Sequence, residues 1–475
     1  MPKFSSMGKR KKNKIFERLK IERIGAKGRG IAQAPDGRVV FVPYTAPGDV
    51  VDVQIRKKRK NYYEGIAIGF HAYSNLRTEP VCDYFGLCGG CQLQHIEYEK
   101  QLEIKGINVK ENILRIGKVQ PGEVLPVLAS PKIYAYRNKM EYAFTSRRWL
   151  TEREIKSGED FDRRGAGFHI PGHWDKILDI EHCHLQPEPG NRIRNELRDF
   201  AKRENISFYD PLTREGLLRQ LTVRVMKSGE IMVLVHFARE EKENIDKILR
   251  HLTEIFPGIT SLNYVINPKP NDSIYDLEVL LYYGKPYVTE QIDGLKFRIK
   301  PKSFFQTNSW QTENLYRKVM EYARIRPGDT VYDLYSGTGT MSLLAARHAG
   351  KVIGLETVDQ AVEDARKNAR LNGIRNVFFE QGDVKHLFTD ALISRHGMPD
   401  ILITDPPREG MHREVVEQIL QVRPKRIVYV SCNAATQARD IALMKNFYEL
   451  RSIQPVDMFP QTYHAENIAV LELKT

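Results

Sequence analysis

The last third of the chain alternates short apolar runs with stretches of helical spacing, and this alternation constrains the fold most strongly. Seven runs are predicted to be strands, at residues 330–334, 351–355, 376–380, 401–404, 427–430, 450–456 and 467–473. Strands joined through helices form mostly parallel sheets that are covered on both faces. Residues 304–475 are therefore predicted to form a doubly wound α/β domain.

Ligands of such sheets bind beyond the carboxyl ends of the strands. The first strand runs into a glycine-rich turn, where Gly337 and Gly339 let backbone approach a ligand closely. Glu356 ends the second strand, where its carboxylate can accept hydrogen bonds from ribose hydroxyls. Asp383 follows the third, where adenine would lie. The turn lacks the lysine of a P-loop, so an adenosine without polyphosphate is favoured, which indicates S-adenosylmethionine.

Cys432 follows the fifth strand and precedes a predicted helix, where the helix N-terminus favours thiolate over thiol. A small buried thiol is the alternative interpretation. Carbon 5 of a pyrimidine is a poor nucleophile unless a thiolate first adds to carbon 6. A base must later remove the carbon-5 proton. Cys432 suits the first role and Glu466, just before the last strand, suits the second.

Three cysteines within ten residues, Cys82, Cys88 and Cys91, predict a metal or cluster site. Cys183 is the most economical fourth ligand. Thiolates bind both iron–sulfur clusters and zinc, and the spacing favours iron–sulfur without excluding zinc. His95, His182 and His184 are alternative ligands. Buried thiols without a metal are the remaining interpretation.

The positive charge is concentrated at the start of the chain. Residues 1–60 contain 17 Lys or Arg and 5 Asp or Glu, a net charge of +12 of the total +13. Such a block indicates a polyanionic partner, most often nucleic acid. A solvated tail is the alternative for Lys9 to Lys14. Arg56 to Lys60 are followed by Tyr62 and Tyr63, which favours phosphate contacts combined with base stacking.

The remaining features concern domain organisation and location. Residues 14–72 contain five short predicted strands with glycine-rich turns, which suggests an OB-like barrel. Residues 73–303 are predicted to form an α+β domain. The chain has no apolar run that could span a membrane and no signal sequence, and its five cysteines do not suggest disulfides. We therefore expect a cytoplasmic monomer without membrane contact.

Several motifs together resemble the RNA uracil-5-methyltransferases. They are FFQTN from Phe304, DLYSGTGT from Asp333, DPPREG from Asp405, SCNAATQARD from Ser431 and HAEN from His464. The start of the chain resembles the TRAM domain of RNA-modifying enzymes, and the four cysteines resemble the bacterial 23S ribosomal RNA branch. The resemblance covers nearly the whole chain.

The resemblance implies a Rossmann-like methyltransferase domain that transfers methyl from S-adenosyl-L-methionine to carbon 5 of a uridine in 23S ribosomal RNA. It implies Cys432 as nucleophile, Glu466 as base and a [4Fe–4S] cluster on Cys82, Cys88, Cys91 and Cys183. It also implies that residues 95–125 pack with the catalytic domain. The implied cofactor contacts, with the glycine of the turn, are Gln306, Tyr335, Gly337, Glu356, Asp383 and Asp405.

Three alternatives stay open. Cytosine-5 methylation uses the same thiol chemistry, so the residues alone do not separate the two bases. The substrate RNA could be transfer RNA. A non-catalytic RNA-binding factor with a retained fold is the third alternative, and the intact set of Cys432, Glu466 and Asp405 argues against it.

Overall fold

The computed structural model describes residues 14–474, so the basic residues Lys9 to Lys12 lie outside the described residues. The chain divides into two compact units. The first unit contains residues 14–86, 91–104 and 461–463. The second contains residues 87–90, 105–460 and 464–474. The predicted boundaries near residues 72 and 303 stay predictions.

The first unit is built on a six-stranded sheet with the order β1-β5-β6-β4-β3-β2. Its strands are β1 (Ile15–Lys20), β2 (Arg23–Ile24), β3 (Gly30–Gln33), β4 (Val39–Val42), β5 (Val50–Lys58) and β6 (Tyr62–Ala72). The alternation of β5 buries Val51, Val53 and Ile55 in the core of this unit, as a half-exposed strand requires.

Strand β1 was not predicted, and its backbone explains why. Only Phe16 and Leu19 of its six residues are buried, which is not a period of two. The pairing with β5 shifts between these two residues, and Arg18 between them has a φ of 53°. An irregularity of this kind removes the alternation that sequence analysis depends on.

The chain then forms helix α1 (Tyr98–Asn112), a π-helical turn (Ile113–Gly117) and the two-residue strand β7 (Glu123–Val124). A seven-stranded sheet follows in the second unit, with the order β10-β9-β8-β11-β12-β13-β14. Its strands are β8 (Lys139–Thr145), β9 (Gly165–Ile170), β10 (His173–Asp179), β11 (Leu218–Val225), β12 (Ile231–Phe237), β13 (Ile259–Ile266) and β14 (Val279–Gly284).

Helices α2 (Glu152–Ser157), α3 (Gly190–Arg203) and α4 (Lys242–Ile255) belong to this central region, and a hairpin of β15 (Val288–Ile292) and β16 (Leu295–Ile299) follows it. Strands β10 and β13 were not predicted. In β13 the polar residues Ser261 and Asn263 interrupt the apolar run. Both are buried, and the Asn263 amide donates to the Ser261 hydroxyl at 2.9 Å, so the sheet accommodates them.

The C-terminal sheet has eight strands in the order β19-β18-β17-β20-β21-β23-β22-β7. The strands are β17 (Thr330–Leu334), β18 (Lys351–Glu356), β19 (Val377–Gln381), β20 (Ile401–Thr404), β21 (Arg426–Ser431), β22 (Tyr448–Val456) and β23 (Glu466–Leu473). The helices are α5 (Ser309–Ala323), α6 (Thr340–Ala346), α7 (Asp359–Leu371), α8 (Val384–Leu387), α9 (Asp390–His396), α10 (Arg413–Val422) and α11 (Ala434–Met444).

Strands β17 to β21 are parallel, and β23 is antiparallel to β21. The sheet is buried on both faces. In β21, Val428 and Val430 belong to one apolar core, whereas Ile427 and Tyr429 belong to another. The prediction of a doubly wound α/β domain is therefore confirmed. Within residues 14–474, no helix is long and apolar enough to cross a bilayer.

A buried ion pair fixes the loop between β22 and β23. The Lys105 ammonium donates to Asp457 Oδ1 at 2.5 Å and to the Phe459 carbonyl at 3.1 Å. Both charged side chains have no solvent exposure. The pair therefore ties the helix α1 to the segment that leads into Glu466.

Removal of one partner should destabilise the second unit strongly. Lys105→Met leaves a buried, uncompensated carboxylate, and we expect a loss of about 3 to 5 kcal/mol in the free energy of unfolding. The double variant Lys105→Met/Asp457→Leu should recover much of that loss. Urea titration followed by fluorescence measures both. Lys425→Met, which breaks an exposed pair with Asp400, is the control and should change little; an equal loss there would contradict the prediction.

Candidate active site

The carboxyl ends of five parallel strands place the predicted residues along one edge of the sheet. Leu334, Glu356, Gln381, Thr404 and Ser431 end strands β17 to β21. The residues that follow them therefore meet at one edge. They are Tyr335, Gly337, Asp383, Asp405 and Cys432, with Glu356 itself the last residue of β18.

Glu466 reaches this edge because β23 runs in the opposite direction. In the pairing of β21 with β23, Val430 is opposite Ile468 and Ser431 is opposite Asn467. The next position of this register sets Cys432 opposite Glu466. The two predicted catalytic residues are thus neighbours in the fold although 33 positions separate them in the sequence. Cys432 is half-buried and Glu466 is 3% exposed.

Helix α11 fixes the loop that carries Asp405 and Arg408. The Asn433 amide and the Thr436 hydroxyl donate to the Arg408 carbonyl at 3.0 and 3.1 Å. Asp440 accepts from the Met411 backbone N–H at 2.9 Å. The segments that follow two neighbouring strands, β20 and β21, are therefore joined by hydrogen bonds.

Gly410 allows this loop to approach the helix. Its φ is 81°, a conformation that favours glycine. A Cβ atom there would lie 2.6 Å from the Asp440 carboxylate. Asp440 also accepts a hydrogen bond from the Tyr429 hydroxyl at 2.7 Å, so a displaced Asp440 would disturb the buried strand as well.

The electrostatics of the site differ from the sequence expectation. Burial and the negative charges of Glu466 and Asp405 raise the pKa of the Cys432 thiol to about 11, although the Arg408 guanidinium acts in the opposite direction. The position of Cys432 before helix α11 was expected to favour the thiolate. That expectation was wrong for the free protein, because desolvation and two carboxyls outweigh the helix terminus.

The carboxyls themselves are also perturbed. Burial and the charge of Asp405 raise the pKa of Glu466. Burial and the charge of Asp333 raise the pKa of Asp405, and burial raises the pKa of Asp333 to about 7. Carboxyls with raised pKa values in one place are characteristic of functional sites.

Three residues of this site were missed by sequence analysis. Tyr316 on α5 is buried, and burial with the charges of Asp405 and Asp333 raises its pKa well above the ordinary value. Burial and the charge of Arg408 lower the pKa of His464 to about 4, which leaves its ring neutral at pH 7. Arg408 is the cation that both Cys432 and Glu466 face. No motif spacing links these positions to one another before the sheet is formed.

The glycine-rich turn has the properties of a nucleoside site. Gly337 has a φ of 54°, and a Cβ atom there would meet open space. The Glu356 carboxylate accepts from the Gly337 and Val358 backbone N–H groups at 2.9 and 2.8 Å. These bonds orient the carboxylate and leave further lone pairs for two hydroxyls.

Two buried polar atoms beside the turn have no partner among the described residues, Asp333 Oδ1 and Ser336 Oγ. Unpaired buried polar atoms favour a polar ligand at the same place. Asp383 is exposed at the N-terminus of α8, where it accepts from the Lys385 N–H at 3.1 Å. The turn, the ribose-type acceptor and the open edge together fit S-adenosylmethionine.

Gln306 connects the sheet edge to the central region. Its side chain hydrogen-bonds Tyr316, and its carbonyl accepts from the Asn138 amide at 3.0 Å. The Asn138 N–H donates to the Thr307 carbonyl at 2.7 Å. Asn138 therefore holds the FFQTN segment through two hydrogen bonds.

The four-cysteine prediction is not confirmed. The five cysteines, all within the described residues, form no disulfide and are partly exposed. Cys82 and Cys91 belong to the first unit, and Cys88 and Cys183 belong to the second. Across residues 14–474, no group of three or more His, Cys, Asp or Glu side chains is arranged to hold a metal ion. We derive no chemical step from a cluster.

The basic and aromatic segment at the end of β5 agrees with the prediction only in part. Arg56 to Lys60 are exposed. The Tyr63 ring, in contrast, is 1% exposed and its hydroxyl donates to Asp36 at 2.8 Å. Tyr63 is thus a core residue, and its expected role in base stacking was wrong.

Comparisons with known proteins agree with this geometry. Residues 281–474 match the model of the tRNA (Uracil-5-)-methyltransferase family, and residues 14–68 match the TRAM domain. The chain is 47% identical to an uncharacterized RNA methyltransferase of Bacteroides thetaiotaomicron, over 95% of this chain and 100% of that protein. It is 46% identical to one of Porphyromonas gingivalis, over 96% of this chain and 100% of that protein.

A solved structure is similar over the same extent. It is the Pyrococcus abyssi tRNA (uracil-54, C5)-methyltransferase in complex with S-adenosyl-L-homocysteine, with a TM-score of 0.74 and 30% identity. The match covers 96% of this chain and 100% of that one.

The charges around Cys432 predict how fast its thiol is alkylated. At a pH above the pKa of Glu466, about 8, and below that of the thiol, removal of the negative charge in Glu466→Gln should lower the pKa of the thiol, so that alkylation is faster. Removal of the cation in Arg408→Gln should raise that pKa and slow the reaction. We expect about a tenfold change in each direction, which corresponds to about one pH unit.

The measurement is iodoacetamide modification of the Cys432 peptide across a pH series, quantified by mass spectrometry. The same measurement on urea-unfolded protein is the control, because the wild type and both variants should then show one common pH profile. Identical pH profiles for the wild type and both variants would contradict the assigned contacts.

Proposed function

Since this chain belongs to the tRNA (uracil-5-)-methyltransferase family and contains a TRAM domain, we propose that it methylates carbon 5 of a uridine through covalent addition of Cys432. The family establishes an S-adenosylmethionine-dependent RNA methyltransferase. The observation that carries the covalent mechanism is the register that sets Cys432 opposite Glu466, beside Asp405 and Arg408.

The proposed reaction begins with the thiol. The Cys432 thiol loses its proton to solvent water and its sulfur adds to carbon 6 of the uracil, which opens the bond between carbons 5 and 6 to an enolate whose carbon 5 is nucleophilic. The raised pKa of Cys432 means that thiolate is scarce in the free protein. The Arg408 guanidinium lowers the pKa of the Cys432 thiol, so thiolate formation depends on where Arg408 lies. The target base must be flipped out of its stack to reach the sulfur.

When it is bound, S-adenosylmethionine would supply its sulfonium methyl group to carbon 5, with the sulfur–methyl bond broken and S-adenosylhomocysteine as the leaving group. Gly337, Glu356, Asp383 and Tyr335 at the sheet edge would hold its nucleoside, and Gln306 and Asp405 would lie near the reacting groups. Glu466 then takes the proton from carbon 5, and the bond between the Cys432 sulfur and carbon 6 breaks. Because burial raises the pKa of Glu466, its carboxylate is a stronger base than an exposed one.

We further propose 23S ribosomal RNA as the substrate, on the strength of the TRAM-like start and the cysteine pattern. Transfer RNA is the second candidate, because the similar Pyrococcus abyssi structure is that of a tRNA (uracil-54, C5)-methyltransferase. Maps of 5-methyluridine in 23S and transfer RNA from a deletion strain distinguish the two: the site that is lost identifies the substrate, and loss of 5-methylcytidine instead would indicate the cytosine alternative.

The nucleophile assignment predicts the behaviour of two variants. Cys432→Ala should lower the rate of methyl transfer from labelled S-adenosylmethionine to RNA by about a thousandfold or more, because addition to carbon 6 is lost. RNA with 5-fluorouridine should give a denaturation-resistant adduct with the wild type only. Glu466→Gln should form an adduct with ordinary RNA, since proton removal is then the slow step.

Retention of cofactor binding by calorimetry is the control for both variants. Methyl transfer by Cys432→Ala at the wild-type rate would refute covalent addition. Normal turnover by Glu466→Gln would assign the proton to another acceptor.

The [4Fe–4S] cluster on Cys82, Cys88, Cys91 and Cys183 stays a prediction, and metal analysis tests it. Protein purified without oxygen should contain about four irons per chain and absorb in the visible range, as thiolate-bound clusters do. Cys183→Ser should lose iron, whereas Cys432→Ser should keep it. Stoichiometric zinc without iron would assign the cysteines to zinc instead.

A further inference from the structure

Tyr73, directly after β6, is exposed but held in place. Its side chain is 70% exposed. Its ring lies nearly parallel to that of Phe70, with 4.9 Å between the ring centroids and 15° between the planes. One face of Tyr73 is therefore covered by Phe70, and the exposure belongs to the opposite face and the edge.

The guanidinium of Arg77 lies beside both rings of the Phe70–Tyr73 pair and stabilises them. Its guanidinium carbon lies 5.1 Å from the centroid of Phe70 and 5.6 Å from that of Tyr73, within the range of cation–π contacts. The guanidinium donates to both oxygens of Asp49, at 2.9 and 2.7 Å. It also donates to the Tyr44 carbonyl at 3.1 Å.

The anchor of Arg77 is rigid because Asp49 is fully buried and has four donors around it. Besides the two guanidinium nitrogens, Asp49 accepts from the Ala46 and Ser74 N–H groups at 2.6 and 2.9 Å. Burial alone would raise the pKa of Asp49, but these donors lower it, so the pair is ionised. Ser74 is the residue next to Tyr73, and its hydroxyl donates to the Pro47 carbonyl at 2.6 Å. The network thus fixes the backbone that carries the exposed ring.

A fixed aromatic ring with one open face and a cation beside it is what an unpaired nucleobase stacks on. The charge of this part of the chain favours a polyanion, since residues 1–60 carry a net +12. The TRAM match ends at residue 68 and does not include Tyr73 or Arg77.

We propose that Phe70, Tyr73 and Arg77 form a stacking platform that binds an unpaired base of RNA on the open face of Tyr73. The proposal rests on the proposed function for the identity of the ligand as RNA. It assigns the platform a separate role from the exposed cations Arg56 to Lys60: the cations neutralise phosphates, whereas the platform contributes a contact that does not depend on salt.

The test is binding of the full chain to a fluorescein-labelled single-stranded RNA of mixed sequence, measured by anisotropy across a salt series. One stacked base contributes about 1 to 3 kcal/mol to the binding free energy, so Tyr73→Ala should raise Kd by about 5- to 150-fold. The slope of log Kd against log salt should stay that of the wild type. Tyr73→Trp should bind like the wild type, and Tyr73→Leu should bind like Tyr73→Ala, because the contact needs a flat ring.

Two controls make the result specific. Tyr275 is 72% exposed, and within residues 14–474 its ring stacks on no other ring; Tyr275→Ala should keep the wild-type Kd. Simultaneous replacement of Arg56 to Lys60 by Gln should flatten the salt slope, which Tyr73→Ala should not do. A thermal melt of each variant checks that the first unit is folded.

The outcomes separate this inference from the proposed function. Wild-type affinity in Tyr73→Ala overturns the platform, and with normal methyl transfer it leaves the proposed function standing. Equal losses in Tyr73→Ala and Tyr275→Ala also overturn it. A wild type that transfers no methyl to any RNA refutes the proposed function, while a selective loss of RNA binding in Tyr73→Ala still supports the platform.

Discussion

The direction of one strand determines the chemistry of this protein. Five parallel strands end at one edge of the C-terminal sheet, and in open α/β sheets ligands bind at this edge, beyond the carboxyl ends of the strands. The last strand, β23, is antiparallel to its neighbour, so its first residue lies at that same edge. Cys432 at the end of β21 and Glu466 at the start of β23 therefore become partners through backbone pairing alone. A parallel β23 would carry Glu466 to the opposite edge.

The consequence of this pairing is a group of carboxyls that water does not solvate well. Asp333, Asp405 and Glu466 all have raised pKa values because burial disfavours their charged forms. When Glu466 and Asp405 are ionised, the negative field of their carboxylates disfavours the thiolate of Cys432. Arg408 offsets part of this field, and helix α11 holds the loop of Arg408 through its own polar side chains. The reactive state of the site thus depends on a balance that binding of substrate and cofactor can change.

Buried polar networks fix functional segments elsewhere in the chain. Lys105 and Asp457 secure the segment before Glu466, and Asp49 and Arg77 secure the segment after β6. In each case a fully buried carboxylate is paired with a cation, and one member of the pair also hydrogen-bonds the backbone: Asp49 accepts from two N–H groups and Lys105 donates to the Phe459 carbonyl. Such pairs contribute less to net stability than to geometry, because their desolvation offsets most of the attraction.

The sequence by itself determined the order of strands and helices in the C-terminal sheet, because short apolar runs and helical spacing are local properties of the sequence. It also identified Cys432, Glu356 and Asp405 as strand-end residues, because the position of a residue after a strand is a local property. It did not determine that Tyr63 is buried, that β1 is a strand or that Arg408 faces the thiol. The pKa of Cys432 was expected in the wrong direction, because it depends on Glu466 and Asp405 across the sheet edge. Contacts between distant segments, and the burial that follows from them, were decided only by the tertiary structure.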